Sequence, residues 1–123
     1  MDKCLISRIK LAKEFKKSQK AFIALGDETR QHILIALLES DNHGIRVGEI
    51  TKKTQLSRPA VSHHLKILKE AGIISMNREG TKNYYYVSPN ETIWKPLTEL
   101  MNNVYNIIKD ISQEEDCENI SNK

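Results

Sequence analysis

No run of eighteen apolar residues occurs in this 123-residue chain, so no segment is suited to cross a bilayer as a helix. The first twenty residues carry charge throughout and lack the apolar core of a secretory leader, which makes a cytoplasmic location the expectation. The two cysteines, Cys4 and Cys117, stand near opposite ends of the chain. Without close spacing they form neither a zinc motif nor a disulfide framework, and a reducing compartment keeps them as thiols. No Gly-rich stretch is laid out to cradle phosphates, and no nucleophile stands at a recognisable spacing from a base. An enzyme is therefore not expected, and neither is a cofactor. No internal repeat appears and no linker is long enough to divide the chain, so residues 1–123 read as one domain with a core of its own.

The charge that is present is unevenly placed. The net +3 hides seven Lys/Arg against two acids in residues 1–20, five against two in residues 56–88, and three against seven in residues 89–123. A basic surface suited to phosphate and an acidic end are thus concealed by a modest total.

One stretch organises the rest, Leu56–Gly72, LSRPAVSHHLKILKEAG. Ser57 supplies an oxygen for the free N–H groups of a first helical turn, and Pro59 falls within that turn, where a missing N–H matters little. Val61, Leu65 and Leu68 make a narrow apolar stripe at helical spacing. His63 and Lys66 then point away from the core, with Ser62 on the shoulder, and Gly72 sits where a helix stops. With Arg58, these residues offer donors to base edges and phosphate oxygens. A solvated surface helix is the plain alternative. His63 and His64 are adjacent and point about 100° apart, so they are poorly placed to chelate one ion; His63 reads as a DNA contact and His64 as a flank against the core.

The flanks support the first reading. Residues 5–24 form an amphipathic basic helix expected to pack on protein. After Gly26, Asp27 caps a helix over Glu28–Glu39 whose Ile33, Ile35, Ala36, Leu37 and Leu38 are apolar nearly all round, as in a buried central helix. His32 within it reads as a histidine without a role. Ser40–Gly44 is turn chemistry, and a short helix covers Arg46–Thr54. Two short helices across a tight turn form a helix-turn-helix. Ile73–Met76 and Asn83–Val87 then read as strands joined by the turn Asn77–Lys82, a wing with Arg78 and Lys82 at its basic tip.

The last helix, Glu91–Ile111, carries a stripe of Ile93, Leu97, Leu100, Met101, Val104, Ile108 and Ile111, with Trp94, Tyr105 and Ile107 beyond it. That exceeds what a terminal helix needs for its own core, so part of it should be buried against a second copy of the chain. Residues 112–123 are polar and acidic and are expected to fray as a disordered tail. The fold class is therefore mostly α with a small β wing: a winged helix-turn-helix of about five helices plus a two-stranded antiparallel hairpin.

In the order FIALGDETRQHILIALL, LSRPAVSHHLKILKEAGII and NREGTKNYYYVS, the chain resembles the ArsR/SmtB family of bacterial winged-helix repressors over about residues 15–90. The resemblance implies a homodimer joined through the first and last helices, binding to double-stranded operator DNA, and release when an unspecified small effector arrives. It places the family's DNA contacts on Ser57, Arg58, Pro59, Ser62 and His63; Lys66, Arg78 and Lys82 are expected to hold phosphates. Pro59 departs from the polar residue often found there and removes a donor. The family's metal sites do not carry over. Where it has C-x-C, this chain reads Arg46–Val47–Gly48–Glu49, and no histidine follows His64. Asp41–Asn42–His43 spells D-x-H, but in a loop. If the terminal helices adjoin in the dimer, Cys4 and Cys117 become candidate redox thiols; two unrelated thiols is the plainer account. The function expected is a dimeric, sequence-specific transcriptional repressor without the usual metal sites. The alternative is a winged-helix module that binds protein and does not read DNA.

Overall fold

The computed structural model describes residues 3–41 and 43–113. Among these, six helices and two strands follow one another: α1 (Lys3–Lys17), α2 (Gln19–Leu25), α3 (Glu28–Leu38), α4 (Val47–Thr54), α5 (Arg58–Glu70), β1 (Ile74–Glu79), β2 (Lys82–Val87) and α6 (Glu91–Gln113). The helix expected over 5–24 is thus two helices. Ser18 divides them, its N–H shared between the carbonyls of Glu14 (3.2 Å) and Phe15 (3.1 Å), a tightening typical of a helix's last turn. No glycine or proline marks the break. The chain forms two compact units, residues 20–93 and the two terminal stretches.

In the central unit the core is built from Ile33, Leu37, Ile50, Val61, Leu65, Leu68, Ile73 and Ile74, all nearly inaccessible. Asp27 caps α3 by accepting the Arg30 N–H at 3.0 Å. The expectation that α3 is buried on all sides is corrected, since Ile35 is 50% exposed and Leu38 68%. Its buried residues, Ile33, Leu34, Ala36 and Leu37, cover about 160° of the helix at 100° per residue, and Ile35 and Leu38 fall on the remaining arc. Apolar composition alone does not say which side finds a partner.

The strands also run further than the sequence suggests. Ile74 pairs with Val87 and the register continues to Glu79 opposite Lys82, leaving only Gly80 and Thr81 as the loop. Gly80 has φ +63° and Thr81 does not share the positive φ, the arrangement of a II′ hairpin turn with glycine first. Arg78 and Lys82, expected in a turn, therefore lie on the strands flanking it. A third partner joins at the base, where Ile45 bridges Tyr85.

The other unit holds α1 and most of α6. The Asn103 side-chain amide donates to both carboxylate oxygens of Glu14, at 3.2 and 3.1 Å, joining these two helices. Leu97 and Leu100 are buried, while Met101, Tyr105 and Ile108 on α6 and Leu5, Ile6, Ile9 and Phe15 on α1 remain exposed. Half-buried Cys4 sits in the first turn of α1 and is disulfide-bonded, which corrects the expectation of a reduced thiol there; Cys117 and most of the expected tail lie outside the described residues. Residues 112 and 113 still belong to α6. Among the described residues no helix is long and apolar enough to cross a membrane.

Candidate nucleic-acid interface

The turn between α4 and α5 is set by backbone geometry. Gln55 ends α4 in the left-handed conformation (φ 60°) and donates its N–H to the Thr51 carbonyl at 2.7 Å. It is the non-glycine residue with positive φ among those described, and that reversal lets α5 begin three residues after it, at Arg58. Ser57 Oγ accepts the Ala60 N–H at 3.2 Å, so the expected N-cap forms and Pro59 sits in the first turn.

The far end of α5 is closed as firmly. The Gly72 N–H reaches the Lys69 carbonyl and the Ile73 N–H reaches the Leu68 carbonyl, both at 3.0 Å. With Gly72 at φ +79° this is a Schellman motif, and the buried side chains of Leu68 and Ile73 supply its usual apolar pair. A β-carbon on Gly72 would stand 2.7 Å from Ile93 Cγ1, so glycine is required there twice over.

Between these ends the stripe of Val61, Leu65 and Leu68 is buried. Pro59, Ser62, His63 and Lys66 occupy about 100° of arc on the opposite side and are exposed, as are Ser57 and Arg58 at the helix start. Six of the eight expected contact residues therefore share one solvent-facing surface. Lys52 and Lys53, exposed in the last turn of α4, stand next to the turn and add positive charge that the sequence reading did not assign to the site. Basic residues in a last helical turn were the available signal.

The wing carries the remaining two. Arg78 stands opposite Asn83 and Lys82 opposite Glu79, so the alternation along a strand puts Arg78 and Lys82 on opposite faces of the ribbon. Arg78 Nε donates to the Gly80 carbonyl at 3.0 Å, which folds the guanidinium back over the tip. The Asp41–His43 pair forms a turn, the His43 N–H donating to Asp41 Oδ1 at 3.0 Å. Among the described residues, no three His, Cys, Asp or Glu side chains are grouped to hold a metal ion.

Behind the exposed face lies a polar contact that the sequence did not reveal. Arg30 of α3 reaches the carbonyls of Ile23 and Ala24 and the ring of His64. Gln31 donates to the Leu25 carbonyl at 2.7 Å. Burial holds the His64 pKa below its ordinary value; the nearby Asp27 carboxylate opposes this, and Arg30 and His63 reinforce it. Asp27 is itself held below the ordinary carboxylate range, chiefly by the Arg30 backbone N–H that it accepts.

Comparison with known proteins agrees with this geometry. A family model described as bacterial regulatory protein, arsR family, matches residues 27–76, from the cap of α3 into the first strand. An HTH-type transcriptional regulator of Methanocaldococcus jannaschii is 39% identical over 74 residues, covering 60% of this chain and 81% of that one. The transcriptional repressor SdpR of Bacillus subtilis is 38% identical over 85 residues, 69% of this chain and 89% of the repressor. Among solved structures, reduced HlyU from Vibrio cholerae superposes with a TM-score of 0.59 at 28% identity, over 78% of this chain and 96% of its own.

Proposed function

As a member of the arsR family of bacterial regulatory proteins, the chain is a DNA-binding transcriptional regulator and not an enzyme, and we propose that it acts as a homodimeric operator-binding repressor. The observation that carries this is the surface of α5, where a buried apolar stripe fixes the helix and Ser57, Arg58, Ser62, His63 and Lys66 face solvent together. Arg58, Ser62 and His63 read base edges in the major groove, Ser57 and Lys66 hold phosphate, and Pro59 contributes shape without a donor. Arg78 and Lys82, on opposite faces of the ribbon, suit a wing tip set into the minor groove, with a phosphate strand on either side.

Dimerisation accounts for the apolar side chains left open on α1 and α6, since the exposed Leu5, Ile6, Ile9, Phe15, Met101, Tyr105 and Ile108 exceed scattered surface exposure. A two-fold pair would set its recognition helices about 34 Å apart, matching half-sites one turn of duplex apart. In this reading residues 1–123 act as one winged-helix domain with the terminal helices as its dimer elements. Release by an effector does not run through the family's C-x-C position, where Val47–Glu49 hold no sulfur.

The test is to let the purified protein enrich duplexes from a random-sequence pool and to measure their binding by fluorescence anisotropy, with light scattering for mass. A dimer that retains an imperfect palindrome is expected. A monomer, or a protein that retains no duplex in dilute buffer, overturns the proposal and would leave a protein-binding winged helix as the reading.

A further inference from the structure

Arg30 uses its guanidinium in three directions. Nε donates to the Ala24 carbonyl at 2.8 Å and Nη2 to the Ile23 carbonyl at 3.0 Å, two carbonyls of the last turn of α2, where a helix leaves acceptors over; the Ile23 carbonyl also accepts the Gly26 N–H at 3.3 Å. Nη1 faces His64 Nδ1 at 3.3 Å. His64 in turn sets its ring edge-on to that of His63, with centroids 5.3 Å apart and planes at 62°. A single side chain of α3 thus connects the end of α2 to the flank of α5, at the level where Ser62 and His63 face outward.

A guanidinium has only donors. Its contact with Nδ1 is a hydrogen bond only while that nitrogen is bare, which requires a neutral His64 with its proton on Nε2. On protonation the ring turns an N–H toward an N–H and a cation toward a cation. We infer that Arg30 is a positioning residue for DNA recognition, holding α5 and the His63 imidazole through a neutral His64, so that acidification loosens the DNA complex. This rests on the reading of α5 as the DNA-facing helix.

The charged and titratable groups that face His64 are Arg30 and Asp27 from the start of α3 and His63 on its own helix. Half-burial is the largest influence and favours the neutral ring below the ordinary value of 6.5. The sign of the expected effect is diagnostic. Protons added to a groove-facing histidine bring positive charge toward phosphate and tighten binding, whereas protonation of His64 acts the other way.

The experiment compares wild type, His64→Asn and Arg30→Gln. Asparagine keeps an acceptor close to the place of Nδ1 and does not titrate. Binding to a duplex enriched by the protein from a random pool is followed from about pH 8 down to about pH 5.5, the range in which histidine changes charge. The ratio of wild-type to His64→Asn affinity is expected near unity at the upper end and to fall by about threefold or more at the lower. A constant ratio with intact binding overturns this inference alone, while loss of duplex binding by all three proteins at every pH overturns it together with the reading beneath it. Nitrogen NMR supplies a readout without DNA. The expected result is a His64 proton on Nε2 and a titration that moves upward in Arg30→Gln; a proton on Nδ1, or a titration that Arg30→Gln leaves in place, overturns the inference.

Discussion

Ile45 and Tyr85 exchange two backbone hydrogen bonds, of 3.0 and 2.8 Å, and so fasten the segment before α4 to the second strand of the wing. The neighbouring Gly44 makes this approach possible. It is buried, has φ +87°, and a β-carbon there would stand 2.5 Å from the Tyr85 carbonyl oxygen. Neither backbone atom can move without opening the bridge. Gly44→Ala is therefore expected to destabilise the protein by at least about 2 kcal/mol, combining left-handed strain with the clash. Urea denaturation measures it, and an unchanged midpoint would show that the bridge yields freely.

Such a contact explains which parts of the molecule were legible in its sequence. The ends of α5 are announced by Ser57, Pro59 and Gly72 because a cap is decided within a few residues of itself. Its exposed face follows from the same periodicity that buries Val61, Leu65 and Leu68. Arg30, by contrast, meets His64 across 34 positions of chain, and nothing local separates it from the other cations. The bridge at Ile45 has the same character: a single pairing leaves no alternation to detect. The charges of Arg78, Glu79 and Lys82 make the wing look shorter in sequence than it is, yet a ribbon tip exposed on both faces accepts charge and needs glycine only at Gly80. The exposed side of α3 is hidden in the sequence because Ile35 and Leu38 carry no mark of where packing ends.

Ser57 caps α5 and, in the proposed interface, meets phosphate, and substitution can separate the two. Its Oγ caps α5, and as an exposed hydroxyl at the helix start it is placed to meet phosphate. Ser57→Ala should lower stability by about 1 kcal/mol and weaken duplex binding. Ser57→Asp restores the cap but faces phosphate with a negative charge, so its thermal midpoint should recover while its DNA affinity falls further. Parallel recovery of both properties would leave Ser57 as a cap alone.

Arg58 and Lys82 are expected to fail in different ways. A bidentate contact from Arg58 to a base edge implies that Arg58→Ala costs about 1–3 kcal/mol and relaxes base preference at one position of each half-site. Lys82→Ala should weaken all duplexes alike and reduce the dependence of affinity on salt by about one counterion per wing. Binding isotherms across a salt series distinguish the two. Equal salt slopes for Lys82→Ala and wild type would remove the wing from the interface.

The open apolar side chains of α6 offer the most direct test of the assembly. Tyr105 and Ile108 lie three residues apart on adjacent turns and are 64% and 59% exposed in the single chain, so a charge placed there meets water unless a second copy covers it. Ile108→Glu in a monomer should leave stability within about 0.5 kcal/mol of wild type, as surface substitutions do. In a dimer closed over this face the same change buries an unpaired carboxylate on both sides of a two-fold axis, and the subunits should separate. Operator affinity should then drop steeply, because one recognition helix reaches one half-site only. Light scattering on wild type and Ile108→Glu decides it: two equal masses, dimeric or monomeric, would place the subunit contact elsewhere or remove it.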